Sequence, residues 1–197
     1  MGLLAVNTIL LALRKRTHCL WQRGAQLFVI LLFSLPVSGH AERTSSENNL
    51  KSAFIFNFAK YVEWPDSAFN GKGTFCIATL GRSPLDKELA SLSGKSVQGR
   101  DIVFRQFNSP EEATQCQVLF ISRSEVSRVE AILDVFKDLP VLTIADLDDF
   151  CRRGGMLSLV NENGKIVFDV NILETQRVRL KPNPQLLRLT RKIYGRS

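Results

Sequence analysis

Val118-Leu119-Phe120-Ile121-Ser122-Arg123-Ser124 sets four large apolar residues in a row and then breaks into a polar junction. A strand with one wet face alternates apolar and polar side chains, whereas an unbroken apolar run is buried on both faces. Upstream, residues 74–80 and 101–107 read as strands, and Gly81-Arg82-Ser83-Pro84 opens a helix expected to reach residue 92. Downstream, a helix is expected over 124–136, a strand over 141–144 and a short helix over 147–151. Strands that alternate with helices are joined by right-handed crossovers and lie parallel. Residues 156–160 and 165–170 then form a hairpin around Asn163-Gly164, a type I′ turn signal, with Glu162 opposite Lys165. A last helix is expected over 184–194. The fold class is α/β: a single domain, a mostly parallel sheet with helices on both faces, and an antiparallel edge hairpin.

Ahead of the sheet, Thr44-Ser45-Ser46-Glu47 fits a capping box, and a helix is expected over 46–62. Leu50, Ala53, Phe54, Phe58 and Tyr61 recur at helical spacing, and Ile55, Phe56 and Val62 widen the stripe. A helix this apolar is buried in a core or in a partner. Trp64-Pro65 ends it, because a residue before proline avoids helical angles. Further upstream, Arg14, Lys15, Arg16 and Arg23 lead into the apolar run 25–33, which Ser34-Leu35-Pro36 breaks. Gly39-His40-Ala41 then offers small residues at the two positions a signal peptidase reads. The pattern is that of a secretory signal over residues 1–41, cleaved after Ala41. The run is shorter than the ~20 residues needed to span a bilayer. Residues 42–197 remain, enough for one domain with its own core.

Export reshapes the chemistry. Four basic residues leave with the leader, so the net charge of +7 partly reports an address and asks for no nucleic-acid partner. Both histidines, His18 and His40, leave too, as does Cys19. A chain without imidazole has no Ser-His-Asp or Cys-His catalysis and no histidine zinc site. Cys76, Cys116 and Cys151 contain no C-x-x-C pair and make a poor metal site. No catalytic residue, metal or cofactor is expected.

The stretch Leu50-Lys51-Ser52-Ala53-Phe54-Ile55-Phe56-Asn57-Phe58-Ala59-Lys60-Tyr61-Val62-Glu63-Trp64-Pro65 resembles the opening signature of the YfiR-like periplasmic family. Cys76-Ile77 through Leu80-Gly81, Cys116-Gln117-Val118-Leu119-Phe120-Ile121 and Phe150-Cys151-Arg152-Arg153-Gly154-Gly155-Met156 agree with it in order and spacing. The resemblance spans nearly all of residues 48–195. It implies a periplasmic, non-catalytic regulator that represses an inner-membrane diguanylate cyclase (YfiN) by binding its periplasmic sensor region, and so controls cyclic-di-GMP and biofilm formation. It also implies an outer-membrane lipoprotein antagonist, a homodimer and disulfide-dependent stability. A second family disulfide joins the Cys151 position to one seven residues on, which here is Ser158. That bridge is missing, and with it any redox switching it would carry. The other functional class to weigh is a periplasmic small-ligand or anion-binding protein serving another transmembrane sensor or a transport system.

Thiols pair in an oxidising compartment. Cys76 and Cys116 each stand at or near a strand start, which would bring them to one end of the sheet, and the resemblance points to the same bridge. Two buried free thiols are the alternative. Cys151 is left as a free thiol, either reactive or inert and packed like a small apolar residue. Arg82-Ser83 and Arg123-Ser124 repeat at two strand-to-helix junctions. They read either as an anion or ligand site at the strand ends or as plain helix capping. Phe54, Ile55, Phe58 and Trp64 read as a partner or dimer interface, or as core. Residues 176–197 hold seven Lys and Arg and no acid, suited to an acidic partner or headgroups, or a docked helix with a solvated basic face. Asp146, Asp148 and Asp149 read as a solvated helix start rather than a cation site.

Overall fold

A computed structural model describes residues 39–69, 71 and 73–195. The chain divides after Glu42, and the unit Arg43–Ser197 holds the sheet. The expected leader lies outside the described residues up to Ser38. No helix among the described residues is long and apolar enough to cross a membrane.

In chain order the elements are α1 (Gly39–Tyr61), β1 (Val62–Glu63), β2 (Thr74–Leu80), α2 (Asp86–Ala90), β3 (Ser96–Val97), β4 (Arg100–Phe107), β5 (Val118–Ile121), α3 (Val129–Phe136), β6 (Leu142–Ala145), β7 (Leu157–Glu162), β8 (Lys165–Asn171), α4 (Ile172–Arg177), β9 (Lys181–Pro182), α5 (Pro184–Arg188) and β10 (Lys192–Tyr194). The main sheet runs β10-β8-β7-β6-β5-β2-β4-β3. Its centre is parallel, from β4 through β2, β5 and β6 to β7. The β7–β8 hairpin is antiparallel. Asn163 (φ 52°) and Gly164 (φ 82°) make its turn, and Glu162 faces Lys165. The class is the one expected, with a three-residue strand, β10, added outside the hairpin.

Period two sorts the strand side chains into two cores. Phe75, Ile77, Val118 and Phe120 face the side covered by α1 and α2. Cys76, Ala78, Leu80, Leu119 and Ile121 face the side covered by α3, whose Val129, Ile132, Leu133 and Phe136 lie at helical spacing. On the first side Phe58 meets Phe168 edge-on at 5.0 Å, and Trp64 meets Phe75 at 5.1 Å. Burying one such ring stabilises by about 1.5–3 kcal/mol.

Several boundaries differ from expectation. Helix α1 begins at Gly39, ahead of the expected capping box, and Glu47 reaches Lys51 at 2.6 Å. Helix α1 ends on schedule before Trp64-Pro65, where β1 pairs with β9 and the Asn183 N–H donates to the Tyr61 carbonyl at 2.8 Å. The segment 147–151 is a run of turns closed by the Gly155 N–H on the Phe150 carbonyl, not a helix. The expected terminal helix over 184–194 stops at Arg188. Beyond it the Arg191 N–H donates to the Phe168 carbonyl, and its guanidinium makes two bonds to the fully buried Asp169, at 2.8 and 2.6 Å. An unpaired carboxylate in that position would be costly, so the chain is drawn onto the sheet edge rather than continuing the helix.

Candidate functional site

In open α/β sheets the strand carboxyl ends form a crevice where successive connections leave toward opposite faces. Here that point lies between β2 and β5, because α2 follows one on the α1 side and α3 follows the other on the far side. Both Arg-Ser junctions therefore meet at one place, 41 residues apart in sequence. The Ser122 N–H donates to the Leu80 carbonyl at 3.1 Å, and the Ser122 hydroxyl donates to the Arg82 carbonyl. The Arg82 N–H donates to Ser124 Oγ at 3.4 Å. Gly81 takes φ +79°, and a Cβ there would sit 2.5 Å from Ser124 Oγ and 2.6 Å from Glu125 Oε1. A glycine is required for this approach, and the crevice is occupied by the protein's own polar atoms.

The serines cap. Ser83 Oγ accepts from the Leu85 N–H at 3.0 Å, while the Asp86 carboxylate accepts from the Ser83 N–H at 3.0 Å. At the second junction the cap is Ser122, whose hydroxyl accepts from the Ser124 N–H, rather than Ser124. Arg123 turns to Asp146, its Nε 3.2 Å from the carboxylate. The same carboxylate accepts from Lys51 at 3.0 Å, and Lys51, 7 % exposed, also holds Glu47. Lys51 holds the Glu47 carboxyl below its usual range, chiefly through that hydrogen bond. Two cations and two carboxylates thus balance between α1 and the loops that follow β5 and β6. Arg82 stays exposed beside them. Asp146 is partly buried in this network, while Asp148 and Asp149 are exposed. Sequence reading passed over Lys51, although it stands inside the quoted opening signature as a charge amid an apolar helix.

At the opposite end of the same strands, Cys76 and Cys116 are joined by a disulfide. Gln117, 2 % exposed, ties four residues together there, its carbonyl also accepting from the Leu142 N–H at 2.8 Å. Its Oε1 accepts from the Cys76 N–H at 2.7 Å, its Nε2 donates to the Ala68 carbonyl at 2.6 Å, and its own carbonyl accepts from Trp64 Nε1 at 3.2 Å. Only its place between Cys116 and the apolar strand could have marked Gln117 beforehand.

Cys151 is a free thiol, 1 % exposed, with Sγ 3.7 Å from the Met156 carbonyl. Burial, with the negative Asp169 adding to it, pushes the thiol up to about 12. A thiol held neutral is a poor nucleophile. The Gly-Gly-Met turn beside it exists because Phe150 fills the space a Cβ on Gly155 would need: its Cε1 would lie 2.1 Å away. Ile55 and Phe58 are fully buried, Trp64 is 9 % exposed, and Phe54 packs 5.7 Å from Phe168. Of the residues read as an interface or as core, Ile55, Phe58 and Trp64 complete the core against β2 and β8, and Phe54 is half-buried at its edge.

Two solved structures are similar to part of the chain. One is the ABC domain in complex with L-Trp from Streptococcus pneumonia (10% identity, TM-score 0.47, covering 62% of this chain and 56% of that one). The other is a conserved domain protein from Vibrio cholerae (8% identity, TM-score 0.49, 72% and 59%). The chain spans a little over half the length of each. The family model described as YfiR/HmsC-like matches residues 48–191, from the Asn48 side chain that donates to the Pro84 carbonyl to the Arg191 that closes on Asp169. The chain therefore belongs to the YfiR/HmsC-like family.

Proposed function

We propose that residues 42–197 act in the periplasm as a regulator that restrains a membrane-bound diguanylate cyclase by binding its periplasmic sensor region. The family match over 48–191 carries this reading. The local chemistry supports docking over catalysis. The one free thiol among the described residues is buried and neutral, and the carboxylates at the strand ends are tied to Lys51, Arg123 and backbone amides. A lipoprotein antagonist and a homodimer belong to the same proposal.

Deleting the gene is expected to raise cyclic-di-GMP and biofilm mass. The tagged mature protein should recover a cyclase from solubilised membranes. Unchanged cyclic-di-GMP in the deletion strain overturns the reading. Amino-terminal sequencing of the secreted product should begin at Glu42; an intact Met1 in the cytosol removes the premise of export.

A further inference from the structure

The main sheet ends on β3, which is so short that half of β4 forms an open edge beyond it. Strand β3 pairs only with Arg100 and Asp101. The chain ahead of β3 adds three bonds. The Ile102 N–H donates to the Lys95 carbonyl at 2.7 Å, the Gly94 N–H to the Ile102 carbonyl at 3.1 Å, and the Phe104 N–H to Ser93 Oγ at 3.3 Å. On the β2 side, the Phe107 carbonyl accepts from the Gly81 N–H at 2.9 Å. Odd-numbered residues of β4 therefore bond inward and even-numbered ones outward. Past Ser93 the outward groups are the Phe104 carbonyl and the N–H and carbonyl of Gln106, none of them bonded among the described residues. Such a row is a template for another strand.

The side chains beside this edge select what can be added. Val103, Arg105 and Phe107 share the α3 face of β4, and with the Cys76–Cys116 disulfide they line a cavity of about 200 Å³. Val103 and Phe107 are half-buried. Arg105 is exposed and has no ion pair among the described residues; Glu112 lines the same cavity without closing on it. An antiparallel strand laid here exchanges both backbone bonds with Gln106 and donates to the Phe104 carbonyl. The residue opposite Arg105 then falls in a non-hydrogen-bonded pair, where side chains lie closest. A carboxylate fits that place, with apolar side chains two residues to either side against Val103 and Phe107. A second copy pairing two-fold through the same groups would set Phe104 against Gln106 and bring two Arg105 side chains directly opposite each other, which is destabilising.

We propose that the open half of β4 takes up an extended segment of a partner protein as an added strand, apolar-x-acidic-x-apolar in pattern, with its carboxylate on Arg105. The proposal rests on the reading that the chain works by docking, and it gives one contact its chemistry.

The probe is a capped heptapeptide with glutamate at its centre, valine two residues to either side and threonine elsewhere. It is titrated into isotope-labelled residues 42–197 and read by NMR. Saturable shifts are expected at the amides of Gln106 and its neighbours, with affinity weakened about tenfold or more in Arg105→Glu. A peptide with central lysine should bind the native protein weakly and regain affinity for Arg105→Glu. Methylating the amide nitrogens of the two threonines beside the glutamate removes the donors that face Gln106 and Phe104, and should abolish binding with the protein untouched. Equal binding by the methylated peptide, equal binding of the glutamate and lysine peptides, no saturation, or shifts away from β4 each overturn the proposal. A dimer that the peptide dissociates assigns the edge to a second copy and overturns it too. If deletion of the gene raises cyclic-di-GMP while the titration fails, the edge falls and the cyclase reading stands. If deletion changes nothing, the cyclase reading falls and the titration still judges the edge.

Discussion

Strands β2 and β5 lie side by side, from Ile77 opposite Val118 to Leu80 opposite Ile121, yet their two ends are fastened by opposite means. The amino ends are joined covalently by Cys76–Cys116 and sealed by a buried amide, Gln117. The carboxyl ends are joined by hydroxyls, backbone amides and a balanced set of charges that includes the exposed Arg123. A dry, covalent end stabilises largely by restricting the unfolded chain and is indifferent to pH. A polar end open to solvent contributes less, responds to acid, and leaves its loops more freedom. The rigid end fixes the sheet, and the other places the surface loops.

The comparison can be broken most forcefully at the covalent end. Replacing Cys76 and Cys116 by serine should cost roughly 3–4.7 kcal/mol on the chain-entropy model, for a bridge with a sequence separation of 40. Urea unfolding with and without reductant measures it, and reductant should leave the double variant unmoved. Gln117→Leu should cost less, about 1–3 kcal/mol, by stranding the Cys76 N–H while the loop of Ala68 turns its carbonyl to water. Equal stability would show that the disulfide alone holds that end.

At the polar end, Gly81→Ala should cost about 1–2 kcal/mol, from left-handed backbone and the displaced Ser124 and Glu125. The same change at Gly164, where nothing stands within 4 Å, removes the clash and keeps only the backbone penalty. Smallest is the acid response. The folded pKa of Glu47 lies below its ordinary 4.5, so its contribution is complete above 4.5 and is lost as pH falls through the folded value. Glu47→Gln should therefore flatten stability against pH in the acid range and leave neutral stability nearly unchanged. An undiminished acid slope would place the sensitivity elsewhere.

Individual residues show how far the linear chain could be read. Val118-Leu119-Phe120-Ile121 announced a strand buried on both faces, and Asn163-Gly164 announced its turn, because both signals are local. Tyr194 was misplaced in a helix because Leu186, Leu189 and Ile193 keep helical spacing, while the force on that segment comes from Asp169, 22 residues from Arg191 in sequence. Phe54, Ile55, Phe58 and Trp64 were legible as apolar but not as inward or outward, since burial depends on where β8 and β2 arrive. The two Arg-Ser junctions were visible as an echo. That Arg123 would be cancelled by Asp146 was not, because the partner comes from the turn after β6.

By itself, then, the amino-acid order determined the class of fold, the period-two cores and the absence of histidine from residues 42–197. These follow from side-chain type and short-range spacing. Tertiary structure alone decided that Lys51 balances two carboxylates and that Gln117 seals the disulfide end. Charge pairing and burial are properties of neighbours in space, and long-range strand order chooses those neighbours.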